Sequence, residues 1–97
     1  MNLNEESQRG QNAEKLLGNE LFAEAFDKLR EAILTSIEEA PIRDKEGVHE
    51  LKLMLKVLKD VKGHIIQVVE TGKMASIQIM EQEKLDRLKK SGLKVYG

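Results

Sequence analysis

The chain has 97 residues, of which 34% are charged and 40% hydrophobic, and its formal net charge is −1. A chain of this length forms one small domain at most, and its composition is that of a folding protein. The absence of cysteine excludes disulfides and thiolate metal sites. No apolar run approaches the ~20 residues that a membrane-spanning helix needs, so we expect no membrane partner.

The N-terminal segment, residues 1–11, is small, polar and without a hydrophobic period. Such a segment buries too little apolar surface to offset the entropy of ordering, and we expect it to be disordered. The rest of the chain is predicted to form a single helical domain over residues 12–91, followed by a C-terminal tail over residues 92–97.

The first long helix is predicted over residues 19–39. Asn19 is a typical N-cap residue, because its side chain can accept a hydrogen bond from a free backbone N–H of the first turn. Pro41 ends the helix near Ala40, since a proline disfavours the helical conformation of the residue before it. Between these ends, apolar residues recur at the three- and four-residue spacing of an amphipathic helix: Phe22, Phe26, Leu29, Ile33 and Ile37.

The second helix is predicted over residues 44–71, with Asp44 as its N-cap. Thr71-Gly72 is predicted to stop it, because glycine adopts the left-handed conformation that often follows a helix. The helix carries an apolar seam of nearly three heptads, which is typical of helices that pack lengthwise against each other. The residues of this seam, assigned to the core or to an oligomer contact, are Leu51, Met54, Leu58, Val61, Ile65 and Val68.

A third helix is predicted over residues 73–90, ending at Ser91-Gly92. The predicted fold class is therefore all-α: an antiparallel hairpin of the first two helices, with a third C-terminal helix. Helix two also has apolar residues outside its seam, and two helices alone make a core too small for a stable domain. With no cysteine and no metal site as a substitute, the third helix and self-association remain as stabilising elements, and we expect the chain to self-associate into a helical bundle.

Two stripes of charge follow the two long helices. Residues 19–39 hold six acids and two bases, whereas the basic stripe of helix two lies opposite its apolar face. Helical phase places both stripes on the outside of a hairpin, so the charges cannot easily pair within it. They are either solvated or steer neighbouring copies together. The stripe residues are Glu24, Asp27 and Glu31, and Lys52, Lys56 and Lys59.

No motif of the sequence indicates catalysis. His49 and His64 are the only histidines, and no carboxylate stands at metal-ligand spacing from them. There is no P-loop or dinucleotide-binding fingerprint, and we expect no catalytic, cofactor-binding or metal-binding residue. The C-terminal region is basic, but acids interrupt its lysines and no aromatic residue interleaves for base stacking, which argues against nucleic acid as a partner.

Several stretches of the chain resemble small helical proteins encoded by tailed bacteriophages and prophages, often near virion structural genes. The resemblance covers residues 14–75 and is a pattern of helix, Pro-Arg-Asp connection, helix and glycine. It implies a phage-encoded accessory or assembly protein, located in the bacterial host cytoplasm or the virion. The stretches that carry the resemblance are Leu16-Leu17-Gly18-Asn19-Glu20-Leu21-Phe22, Ala40-Pro41-Ile42-Arg43-Asp44, Val61-Lys62-Gly63-His64-Ile65 and Glu70-Thr71-Gly72-Lys73-Met74-Ala75.

Three functions remain open from the sequence. The favoured one is a non-enzymatic phage structural or assembly protein that acts through helix–helix contacts in a homo-oligomer or with other phage proteins. The alternative is a small phage inhibitor that binds a host or defence component. The weakest is a nucleic-acid-binding accessory protein.

Overall fold

A computed structural model describes residues 1–92 of the chain, and within them it contains three α-helices and no strand. The helices are α1 (Leu3–Leu17), α2 (Glu20–Glu39) and α3 (Lys45–Lys90). The predicted all-α class is therefore confirmed. The predicted tail, except Gly92, lies outside the described residues.

Side-chain caps begin each helix. The Asn19 side chain accepts a hydrogen bond of 2.9 Å from the N–H of Phe22, and the Asp44 side chain accepts one of 2.9 Å from the N–H of Gly47. Both caps were predicted, and both are confirmed. α3 ends at Lys90 as predicted, and Gly92 follows it with a positive φ of 77°. That conformation suits glycine, which has no Cβ to clash with the backbone.

The N-terminal segment is helical, which corrects the prediction of disorder over residues 1–11. α1 begins after Asn2, whose side chain accepts a hydrogen bond of 2.8 Å from the N–H of Glu5. The segment has too few apolar residues to show a hydrophobic period. Its order comes from packing on α3, because an isolated helix of 15 residues is marginal in water.

One continuous helix replaces the predicted second and third helices, which is a second correction. α3 runs for 46 residues, from Lys45 to Lys90, straight through Thr71-Gly72. At 1.5 Å per residue it is about 69 Å long. It spans most of the molecule, whose extents are 75 × 27 × 18 Å. α1 and α2 both contact it, so α3 is the element that joins the parts of the fold.

α3 continues through Gly72, and this glycine lies in the contact with α1. A methyl group added to Gly72 would lie 2.6 Å from the Cα of Gly10, and one added to Gly10 would lie 2.7 Å from the Cα of Gly72. Ser7 and Ser76 share a hydrogen bond of 2.7 Å beside them. Ser7 precedes Gly10 in α1, whereas its partner Ser76 follows Gly72 in α3. The two helices are therefore antiparallel, and their backbones are in direct contact.

The buried core is thin. Among the described residues only three hydrophobic side chains are buried: Ile33, at 4% exposure, Val69 and Ala75. The radius of gyration is 21.8 Å, whereas a compact domain of this length has about 12.5 Å. The chain is therefore a rod in which the helices contact each other along narrow strips. Much apolar surface stays in contact with solvent.

The glycine pair yields a prediction with a matched control. Gly72→Ala should detach α1, because the new methyl group meets backbone atoms that cannot move aside, and we expect a loss of about 1–3 kcal/mol in unfolding free energy. Gly63→Ala is the control, since nothing lies within 4 Å of a methyl group there. It should be neutral or stabilise α3 by up to ~1 kcal/mol.

Hydrogen exchange of the α1 amides, together with thermal denaturation, measures both variants. Faster exchange confined to α1 in Gly72→Ala is the expected result. Equal protection of α1 in the two variants would show that the glycine contact does not hold this helix.

Candidate interaction surface

The predicted apolar seam of α3 divides into two groups. Its other four members are half-buried, but Met54 is 51% exposed and Val61 is 47% exposed. Met54 and Val61 therefore do not belong to the buried core of the single chain. The half-buried members are Leu51, Leu58, Ile65 and Val68.

A groove between α2 and the first half of α3, here called the apolar groove, is lined by seven side chains, five of them exposed. Every residue that lines it is apolar, and the most exposed of them is Val57 at 60%. The sequence indicated extra apolar residues on this helix but not that they share a groove with α2. The lining residues are Leu29 and Ile33 of α2 and Leu53, Met54, Val57, Leu58 and Val61 of α3.

Small side chains of α2 lie beside the apolar groove. Ala25, Ala32 and Ser36 are exposed, and at ~100° per residue they lie within about 60° of Leu29 around the helix. The Ser36 hydroxyl donates a hydrogen bond of 2.9 Å to the carbonyl of Ala32, which satisfies the hydroxyl within its own helix. The α2 side of the groove itself is lined by Leu29 and Ile33.

All six residues of the two charge stripes are exposed. Within residues 1–92 the one ion pair closer than 4.0 Å joins Glu24 to Lys28 at 2.9 Å, one turn apart on α2. The acidic and basic stripes thus make no ion pair with each other in the single chain. An exposed pair such as Glu24–Lys28 contributes about 0–1 kcal/mol, so it does not fix the Glu24 side chain.

A second exposed apolar strip lies on the C-terminal half of α3. The sequence had assigned its residues to a separate third helix, but they continue the same helix that carries the apolar groove. They are 44–65% exposed. The strip consists of Met74, Ile77, Met80 and Leu85.

The histidine, acidic and other polar side chains of residues 1–92 are at least partly exposed. Across residues 1–92 no group of three or more histidine or acidic side chains is placed to hold a metal ion, and no polar or charged residue is buried. His49 and His64 are both exposed. None of the three helices has a stretch long and apolar enough to cross a membrane.

The chain matches no protein-family model, and comparisons with curated proteins and with solved structures find no match.

The division between buried and exposed apolar residues yields a prediction. Ile33→Ala should lower the unfolding free energy by about 2–4 kcal/mol at any protein concentration, because it removes a buried side chain and leaves a cavity. Val57→Ala should cost less than ~1 kcal/mol in dilute solution, where its site is exposed to water.

Urea denaturation across a hundredfold range of protein concentration measures both variants. If Val57 contacts another copy, the cost of Val57→Ala grows with concentration while that of Ile33→Ala does not. Equal costs for the two variants in dilute solution would contradict the assignment of Val57 to an outer surface.

Proposed function

We propose that this protein is a non-enzymatic structural or assembly protein of a bacteriophage, and that it acts through helix–helix contacts in a homo-oligomer or virion. The phage origin rests on the resemblance over residues 14–75. The mode of action rests on one observation, the apolar surface that residues 1–92 leave exposed. Fourteen large hydrophobic side chains in this range are exposed, whereas the buried hydrophobic residues are Ile33, Val69 and Ala75.

The proposal includes the antiparallel hairpin of α2 and α3. Two observations support it: the five residues between Glu39 and Lys45 are too few for a parallel return, and both helices contribute side chains to the apolar groove. In such a hairpin the exposed apolar surface is contiguous. Contiguous apolar surface on a soluble monomer usually marks a contact with another molecule.

The small buried core of the single chain supports the same proposal. A small core provides little stability by itself, and domains with such a core usually need an additional stabilising element. This chain has no cysteine, and its buried core is thinner than a globular fold of its length would have. Burial of the apolar groove against another helix pair supplies the missing contact.

Two measurements separate this function from an inhibitor of a host or defence component. Mass spectrometry of purified virions, with quantified peptides, should find many copies of this chain per particle. Absence from the particle, combined with capture of one host protein in stoichiometric amount during infection, would overturn the structural role and establish the inhibitor.

A variant in the apolar groove tests self-association. Val57→Asp should reduce the solution mass to that of a monomer, because burying an unpaired carboxylate in an apolar contact is costly. His49→Asp is the control, since it adds the same charge at an exposed position of the same helix outside the groove. Sedimentation velocity measures both. An unmodified chain that remains monomeric at high concentration would exclude the homo-oligomer.

A further inference from the structure

We propose that a second groove beside α2, here called the charged groove, binds a single-chain amphiphile with an anionic head group, such as a fatty-acid carboxylate. The charged groove lies between α2 and α3, and Leu58 lines both it and the apolar groove. Its volume of about 840 Å³ is within the range of small-molecule sites. The inference goes beyond the proposed function, which requires no ligand. The residues that characterise the charged groove are Phe26 and Arg30 of α2 and Leu55, Lys59 and Lys62 of α3.

The floor of the charged groove is apolar. At ~100° per residue, its three α3 residues lie within about 80° of each other around the helix and span about 16 Å along it. This strip is long enough for the alkyl chain of decanoate, and covering it removes apolar surface from water, which is favourable. The floor consists of Phe26 of α2 and Leu55, Leu58 and Ile66 of α3.

Three cations line the charged groove beside this floor: Arg30, Lys59 and Lys62. Arg30 lies about 40° from Phe26 around α2, and Lys62 lies at a similar angle from Leu58 around α3. Lys59 and Lys62 are three residues apart, so they are neighbours on the helix surface. Within residues 1–92 none of the three cations makes an ion pair closer than 4.0 Å. Their charge is therefore available to a ligand.

The two acids of the charged groove, Asp27 and Asp60, lie farther from its floor. Asp27 is about 100° from Phe26 around α2, and Asp60 is about 160° from Leu58 around α3. The charge nearest the apolar floor is consequently positive. A ligand that combines an alkyl chain with an anionic head group complements this arrangement, whereas the same chain with a cationic head group does not.

Two probes with the same kind of alkyl chain test the charge preference. Decanoate and decyltrimethylammonium are titrated into the full chain below their micelle concentrations, and binding is followed by amide chemical shifts. Decanoate should bind at least about 10-fold more tightly, because only its head group is complementary to the cations. Shifts should concentrate at Phe26, Leu55 and Ile66. Equal affinity for the two probes, or shifts confined to the apolar groove, would overturn the proposal.

Charge-removing variants test the site itself. Arg30→Gln combined with Lys62→Gln should weaken decanoate binding about 10-fold and should not weaken binding of decyltrimethylammonium. The matched control combines Lys73→Gln with Lys89→Gln, which removes the same net charge at exposed positions of α3 outside the charged groove. The control should bind decanoate as the natural chain does. An equal loss in both double variants would show that net charge, rather than the charged groove, attracts the probe.

A charge-conserving variant separates loss of the site from loss of the fold. Arg30→Lys combined with Lys62→Arg keeps both cations and should retain decanoate affinity within about 3-fold. Circular dichroism checks that every variant is helical. A charge-conserving variant that is helical but binds as weakly as the glutamine variant would contradict an electrostatic role for these two residues.

Vesicles of phosphatidylglycerol distinguish a single amphiphile from a membrane surface as the source of the anionic head group. The chain should not sediment with these vesicles, because the charged groove accommodates one alkyl chain between two helices. Sedimentation with the vesicles and no binding of decanoate would overturn the proposal. Either negative result for decanoate leaves the assembly role intact, since that role depends on the apolar groove and on the copy number in the virion.

Discussion

The contact between Gly10 and Gly72 brings the backbones of α1 and α3 together. Each glycine leaves space that the other helix's backbone occupies, since a methyl group on either would lie within 2.7 Å of the opposing Cα. The Ser7–Ser76 hydrogen bond and the buried Val69 and Ala75 surround this contact. Gly72, a residue type that often follows the end of a helix, instead lies within α3 at a close contact with α1.

The fold that results has a spine and two attached helices rather than a central core. α1 contacts the C-terminal half of α3, and α2 shares a groove with its N-terminal half. Residues 1–92 therefore do not enclose a large hydrophobic centre. Apolar residues that would fill such a centre in a globular domain lie on the outside. The same geometry that limits the stability of one copy provides surface for contact with another.

The single chain leaves two apolar surfaces exposed, both carried by α3. One is the apolar groove beside α2, and the other is the strip from Met74 to Leu85 on the C-terminal half of the helix. Contiguous exposed apolar surface often marks a site of contact with another molecule.

The sequence by itself determined the local features. The all-α class, the caps at Asn19 and Asp44, and the end of α3 at Lys90 depend on residues within one or two turns of each other, so they could be predicted. The division of the α3 seam was not predictable in this way. The hydrophobic period of α3 places Met54 and Val61 on the same face as Leu58. Which of these side chains α2 buries depends on the position and width of α2.

Only the tertiary structure determined that the N-terminal segment is helical and that α3 continues through Gly72. α1 is too polar and too short to be predicted from its own period, and glycine after threonine is an ordinary helix stop. Both were decided by a contact between segments far apart in the chain, as the Ser7–Ser76 pair shows with its separation of 69 residues. Local helix propensity does not report such a contact. A glycine permits close packing only where another helix lies against it, and the local sequence does not show whether one does.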